Sequence, residues 1–203
     1  MFRRVASDVL GLSDIGSIIK PQDYDKVDSD DYVMHEEGEK IYFLIKSKTD
    51  EYCFTNQALI HLDGTSAVSK KRMLKRFGYY DNTISDVRLE TAGNIDMDVE
   101  IKFVMGQISY SIDVHKEQIE PLKDLYKALL RIGSIQRENA DFYRYAERSL
   151  DLASNTVHRS PSSTTLEEQF QAINQHAFDW MHRAHEAYRR KDFGEVFEKF
   201  IHN

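Results

Sequence analysis

Between residues 95 and 103 apolar and charged side chains alternate strictly: Ile95, Met97, Val99, Ile101 and Phe103 interleave with Asp96, Asp98, Glu100 and Lys102. A period of two marks a strand with one face in a core and the other in water. Gly93-Asn94, just upstream, supplies the positive φ that a tight hairpin needs. Alternation, or enrichment in β-branched and aromatic residues, also predicts strands over 41–45, 51–55, 59–62, 68–80, 83–90 and 107–114. Residues 46–50, Asp63-Gly64, Asp81-Asn82 and Met105-Gly106 read as the turns between them. Seven strands at this spacing predict a sandwich or a barrel.

The flanks read differently. Residues 6–20 predict one or two short helices, ended by Pro21. Residues 23–31 hold five aspartates against one lysine, which suits a solvated connection. Beyond Lys116 the period lengthens. Ile119, Leu122, Leu125, Leu129 and Ile132 recur at three and four, predicting an amphipathic helix over 117–132 with Pro121 in its first turn. Gly133-Ser134 reads as a kink or break, after which Phe142, Tyr143, Ala146 and Leu150 carry the helical pattern on through 135–153. The Ser/Thr-rich stretch 158–165 is a loop, read as a plain helix connection although a kinase could modify it, and Thr164/Glu167 and Thr165/Glu168 both fit a capping box. Leu166, Phe170, Ile173, Ala177, Trp180, Met181, Ala184 and Tyr188 predict the next helix, and Phe193, Val196, Phe197 and Phe200 a short final one.

The expected class is therefore α+β: a β unit closed by one helix over residues 1–132, and a helical hairpin over 133–203. Two helices alone bury little surface. The hairpin's aromatic stripe must then face the β unit or other copies of the hairpin.

Composition narrows the function. The 203 residues carry a formal net charge of -7, the reverse of what a phosphate-neutralising protein needs. Nucleic acid and strong binding to an anionic membrane are disfavoured. The lone Cys53 can form no internal disulfide and no cysteine-based zinc site, which fits a reducing compartment. With no signal-like N-terminus and no apolar run of bilayer length, the sequence reads as cytoplasmic. There is no glycine-rich phosphate loop, nucleophile elbow or dinucleotide fingerprint, so the expectation is a chain with no catalytic residues, no cofactor and no metal.

Four blocks carry a family resemblance: Phe54-Thr55-Asn56-Gln57-Ala58-Leu59-Ile60, Lys70-Lys71-Arg72, Glu90-Thr91-Ala92-Gly93, and Asp96-x-Asp98-x-Glu100-x-Lys102. They resemble the bacterial pleckstrin-homology-like (PH-like) family over residues 10–129, and the helices beyond resemble its YvbH-like oligomerisation extension. The resemblance implies a seven-stranded bent sheet or partly open barrel capped by a C-terminal helix. It also implies cyclic homo-oligomers acting through protein–protein contacts. The glycine that members place just before the basic block is missing here; Gly64 stands further upstream.

Candidate sites follow. Glu90, Asp96, Asp98, Glu100 and Lys102 form a candidate partner surface. The carboxylates of residues 96, 98 and 100 share one strand face, but a flat row does not wrap Ca²⁺. Lys70, Lys71, Arg72, Lys75 and Arg76 form a candidate basic patch, for anionic lipid, for an acidic neighbour, or as a protected edge strand. His182, His185 and Glu186 share a helix face, with His176 upstream, in an order that matches no zinc motif. Cys53 reads as a buried small hydrophobe. Phe142, Tyr143, Phe170, Ile173, Trp180, Met181 and Tyr188 are the candidate oligomerisation residues.

Three functions compete: a self-assembling scaffold, a peripheral lipid or small-ligand binder using residues 70–76, and an enzyme with a scattered site. The first is the expectation, with the chain itself and an unidentified protein as partners.

Overall fold

The computed structural model describes residues 14–64, 72–91, 98–157 and 165–201. These divide into two compact units. One comprises the described residues up to Gly133 together with 191–201, and the other runs from Ser134 to Arg190.

The first unit is built on two antiparallel sheets. Strands β1 (Ser17–Ile18), β2 (Ile41–Lys46), β3 (Glu51–Thr55), β4 (Ala58–Asp63) and β5 (Met73–Gly78) form one, in that order. Strands β6 (Ile84–Glu90), β7 (Asp98–Met105) and β8 (Ile108–His115) form the other. The alternation seen in sequence is realised in β7, where Val99, Ile101, Phe103 and Met105 are buried and the residues between them are not. Phe43, Phe54, Phe103 and Tyr110 meet between the sheets, with Phe103 stacked on Tyr110 at 5.0 Å. The sheets are not closed into a full cylinder, so the architecture is an open barrel.

One corner is stitched by the short β1, where the sequence predicts helix. Ser17 and Ile18 pair with Lys46 and Ile45, while Gly16 bridges to Val114 of the other sheet. Gly16 N–H donates to Asp113 C=O (2.8 Å), and His115 N–H donates to Gly16 C=O (3.1 Å). A Cβ at Gly16 would lie 2.7 Å from Ile45 Cγ2 and 2.8 Å from the Asp113 carbonyl, so glycine is needed for this approach. Helical periodicity misreads this segment because its partners lie some thirty and one hundred positions away.

The acidic connection also has a structural role. Residues Pro21–Lys26, Asp28–Tyr32 and His35–Glu37 form short 3₁₀ turns. They bury Val27 and Val33, with Ile19, against Leu44, Cys53 and Ile60 on the outer face of the larger sheet. The aspartates stay outside while the two valines supply a second small core.

Helix α1 spans Ile119–Val157 without interruption. Its first turns bury Leu122, Leu125, Ala128, Leu129 and Ile132 and cap the β unit. The expected break at Gly133-Ser134 is absent: one glycine costs an α-helix about 1 kcal/mol, which a packed helix absorbs. Helix α2 (Leu166–Tyr188) starts at a complete capping box between Thr165 and Glu168, the second of the two pairs that the sequence offers. Helix α3 (Gly194–Ile201) belongs with the β unit.

Candidate interaction surfaces

The basic patch is neutralised wherever it is described. Arg72 pairs with Asp28 and lies 3.8 Å from Glu51. Lys75 pairs with Asp63 at 2.7 Å, and Arg76 with Glu39 at 3.0 Å. Glu39 and Glu51 are both buried, and each is hydrogen-bonded beyond its cation. Glu39 accepts from Met34 N–H (2.8 Å) and the Thr55 hydroxyl, and Glu51 from Ser29 N–H (2.8 Å) and the Lys46 ammonium. A buried carboxylate without a cation is costly, so Arg76 is committed to Glu39 and Lys46 to Glu51, whereas Arg72–Asp28 and Lys75–Asp63 are partly exposed pairs that hold their cations more weakly. Lys70 and Lys71 lie outside the described residues.

The acidic row lies on the outer face of β7. Register sets Glu90, Glu100 and Asp113 side by side across β6, β7 and β8. Like charges in direct opposition repel. Lys102 relieves two of them, at 2.9 Å from Glu90 and 2.8 Å from Glu100. Its hydrogen bond pulls Glu90 below the usual carboxylate range, while Glu100 and Glu90 together raise Lys102. Asp113 shifts the other way: partial burial, then Glu100 and Asp98, push its carboxyl up. Asp96 lies outside the described residues. Among those described, no group of three or more His, Cys, Asp or Glu side chains is placed to hold a metal ion. His182 instead stacks on Phe178 and approaches Glu186 at 3.6 Å, and His185 meets Tyr143 edge-on.

Cys53 is fully buried, and burial, then the nearby Glu39, push its thiol far above the usual range. The thiolate is the reactive form, so this cysteine is inert.

In the second unit α1 and α2 meet along a seam of small residues. Ala146 and Ala184 are buried there, and the Trp180 indole N–H donates to the Ala146 carbonyl at 3.1 Å. Phe142 stacks on Tyr188 at 5.4 Å, and the Arg189 guanidinium lies over Tyr143 at 5.3 Å. An open groove of about 370 Å³ runs past Phe142, Tyr145, Ala146, Trp180, Ala184 and Tyr188. Large apolar side chains remain outside the seam: Tyr145 is 58% exposed, Leu152 62%, Phe170 70% and Phe178 66%. Ile173, Met181 and Tyr143 are half-buried. Tyr145 and Phe178 escaped the sequence reading. The spacing of Tyr145 three residues after Phe142 was the available signal.

A further site was invisible in sequence. Phe193, Val196 and Phe197 are buried on the β unit, with Phe197 stacked on Tyr42 (5.4 Å) and Phe193 edge-on to Tyr79 (5.7 Å). Asn56 grips the segment twice. Its side-chain amide donates to Asp192 Oδ2 (2.6 Å), and its carbonyl accepts from Phe193 N–H (2.8 Å). Tyr42 donates to Glu198 at 2.9 Å; burial, reinforced by that carboxylate, pushes its phenol up to about 12.

Comparison with known proteins agrees with this architecture. The family model described as the bacterial PH domain matches residues 9–132, and that described as the YvbH-like oligomerisation region matches residues 144–203. The uncharacterized protein YvbH of Bacillus subtilis (strain 168) is 58% identical over the full length of both chains. The uncharacterized protein YjqA of the same organism is 30% identical over 97 residues, 47% of this chain and 76% of its own. The crystal structure of a PH-domain-containing bacterial protein from Exiguobacterium sibiricum 255-15 superposes with a TM-score of 0.86. It is 49% identical and covers 93% of this chain and 100% of its own. A β unit of two antiparallel sheets capped by a helix, followed by a helical region of the YvbH type, places this chain in the bacterial PH-domain family.

Proposed function

We propose that this protein is a non-catalytic scaffold that assembles with copies of itself into a ring and presents its PH-like units to a protein partner. The observation that carries the reading is the second unit. Its two helices leave Tyr145, Leu152, Phe170 and Phe178 more than half exposed even after pairing with each other. Several large apolar side chains left this exposed on one pair of helices favour an interaction surface. The match of residues 144–203 to an oligomerisation region points to the same use. Interfaces that repeat head to tail close into rings when the rotation permits. In the ring the acidic face around Glu90, Asp98 and Glu100 supplies charge for partner selection.

The lipid reading is weakened at the three described residues of the basic block. Arg72, Lys75 and Arg76 each face a carboxylate of the same unit, which leaves little charge for a head group.

Light scattering at micromolar concentration tests the assembly, and a monomer would overturn it. Sedimentation with vesicles containing phosphoinositide at physiological salt tests the alternative. The expected result is protein left in the supernatant; headgroup-selective pelleting would replace the scaffold reading with the lipid one.

A further inference from the structure

The paired helices of the second unit present two unlike faces. Ala146 of α1 and Ala184 of α2 mark the seam between them. At about 100° per residue, the other side chains fall to one side of that seam or the other. Tyr145 and Ser149 of α1 lie on one side with Trp180 and Arg183 of α2, and together they line the open groove of about 370 Å³. Tyr143 of α1 lies on the other side with Phe178, His182 and His185 of α2, and the edge-on contact of Tyr143 with His185 joins the two helices there. The first face is a hollow with aromatic walls. The second carries a projection, because Phe178 is 66% exposed and stacks on His182 rather than into the seam. Their charges differ as well. Arg183 brings a cation to the groove, whereas Glu147 and Asp151 stand exposed on α1 on the Phe178 side. The pairs Phe142–Tyr188 and Tyr143–His185 set the antiparallel register, which puts Asp151 level with Phe178.

We infer that copies of this chain join through unlike faces: Phe178 of one copy enters the groove beside Tyr145 and Trp180 of the next, where Arg183 meets Asp151 and Glu147 of the incoming copy. The inference rests on the self-association proposed above and says which surfaces make it. A second copy is the occupant because Tyr145, Asp151, Phe178, Trp180 and Arg183 all fall within residues 144–203, which match the oligomerisation region. Charge decides the pairing. Setting two Phe178 faces together would oppose the carboxylates of both copies, and like charges brought face to face repel. Setting two grooves together would leave Phe178 in water and gain no anion for Arg183. The unlike pairing buries an aromatic anchor in an aromatic hollow and matches the charges at its rim. Each copy then uses both faces, so the contact repeats head to tail.

The test measures the mass of full-length chains by light scattering at low salt. Arg183→Glu, and separately Glu147→Lys with Asp151→Lys, should each lower the assembled mass. Combining all three substitutions should restore it, an outcome that misfolding cannot produce. A second pair of variants blocks one face each: Ser149→Trp fills the groove and Phe178→Asp removes the projection. Both positions are exposed, so neither substitution enters the seam. Each blocked variant alone should be monomeric. Mixed, they should form one-to-one dimers that grow no further, since only one groove and one Phe178 remain intact. Monomers after mixing, a blocked variant that keeps the parent mass, or a triple charge variant no larger than its components would each overturn the pairing of unlike faces. An assembled parent would in that case leave the scaffold reading standing. A monomeric parent overturns both.

Discussion

The side-chain amide of Gln118 closes a ring with the backbone of Ile18, one hundred residues earlier. Ile18 N–H donates to Gln118 Oε1 at 2.7 Å, and Gln118 Nε2 donates to the Ile18 carbonyl at 3.1 Å. The amide thus acts as one more strand residue beside β1. Together with Gly16 it holds the corner where the two sheets meet. Replacing Gln118 with Ala leaves a partly buried N–H and C=O without partners, at a cost of about 1–3 kcal/mol. Gly16→Ala should cost more, since the added methyl meets both a side chain and a carbonyl within 3 Å. Thermal unfolding of the two variants checks the order.

The seat of the C-terminal segment makes a second expectation. Phe197→Ala removes a fully buried ring from between Tyr42 and Tyr79, which ordinarily costs about 3–5 kcal/mol. A chain ended at Arg190 should lose more and expose both tyrosines. Cutting at Gly133-Ser134 is therefore not a clean separation of units. The β unit needs residues 191–201 supplied as well. Adding a synthetic peptide of those residues to the truncated chain should raise its melting temperature; no rise would show that the segment contributes nothing to the β unit.

The acidic face makes a prediction about pH. The Asp113 carboxyl is raised in the folded state, so folding favours its protonated form. The favourable contribution is present at low pH and is lost as pH rises through the raised value. Asp113→Asn should therefore stabilise the protein at pH 7 and give progressively less gain below about pH 4. Asp50 behaves oppositely. Burial is the largest single influence and raises it, but the hydrogen bonds with His61 and Thr49 and the charges of His61 and Lys75 together lower it. Its contribution is present above the ordinary aspartate range and lost as pH falls through the lowered value, so Asp50→Asn should destabilise at pH 7 and converge with the parent in acid. Melting curves from pH 3 to pH 8 check both signs.

The hairpin gives the fourth. Phe170 and Phe178 are more than half exposed within the chain, so changing them to Ser should leave the melting of an isolated chain within about 0.5 kcal/mol. The assembled mass should fall nonetheless. Unchanged light scattering for the double variant would remove these two side chains from the interface.

The strands were legible because their signal is local. Val99 to Phe103 alternate, Asp63-Gly64 turns, and Leu122 to Ile132 fall on one helical face. What sequence could not show was set by partners distant in the chain. Ser17–Ile18 is too short to carry a period, and its strand character comes from Lys46, Val114 and Gln118. The pairing of Arg72, Lys75 and Arg76 could not be read from sequence, which left lipid, acidic neighbour and edge strand open, because Asp28, Asp63 and Glu39 are not their sequence neighbours. Phe193 and Phe197 showed an apolar helical pattern but not what it covers.

That last point bears on how the chain is made. Synthesis runs from the N-terminus, and domains ordinarily fold as they emerge. Here every strand and the capping turns of α1 are available long before Phe193 and Phe197. The β unit must wait, with Tyr42 and Tyr79 uncovered, until the whole hairpin has been translated. The last layer of this core is therefore laid down only after residues 134–190 have been made, and a nascent chain paused before Phe193 exposes both tyrosine rings to any apolar surface nearby.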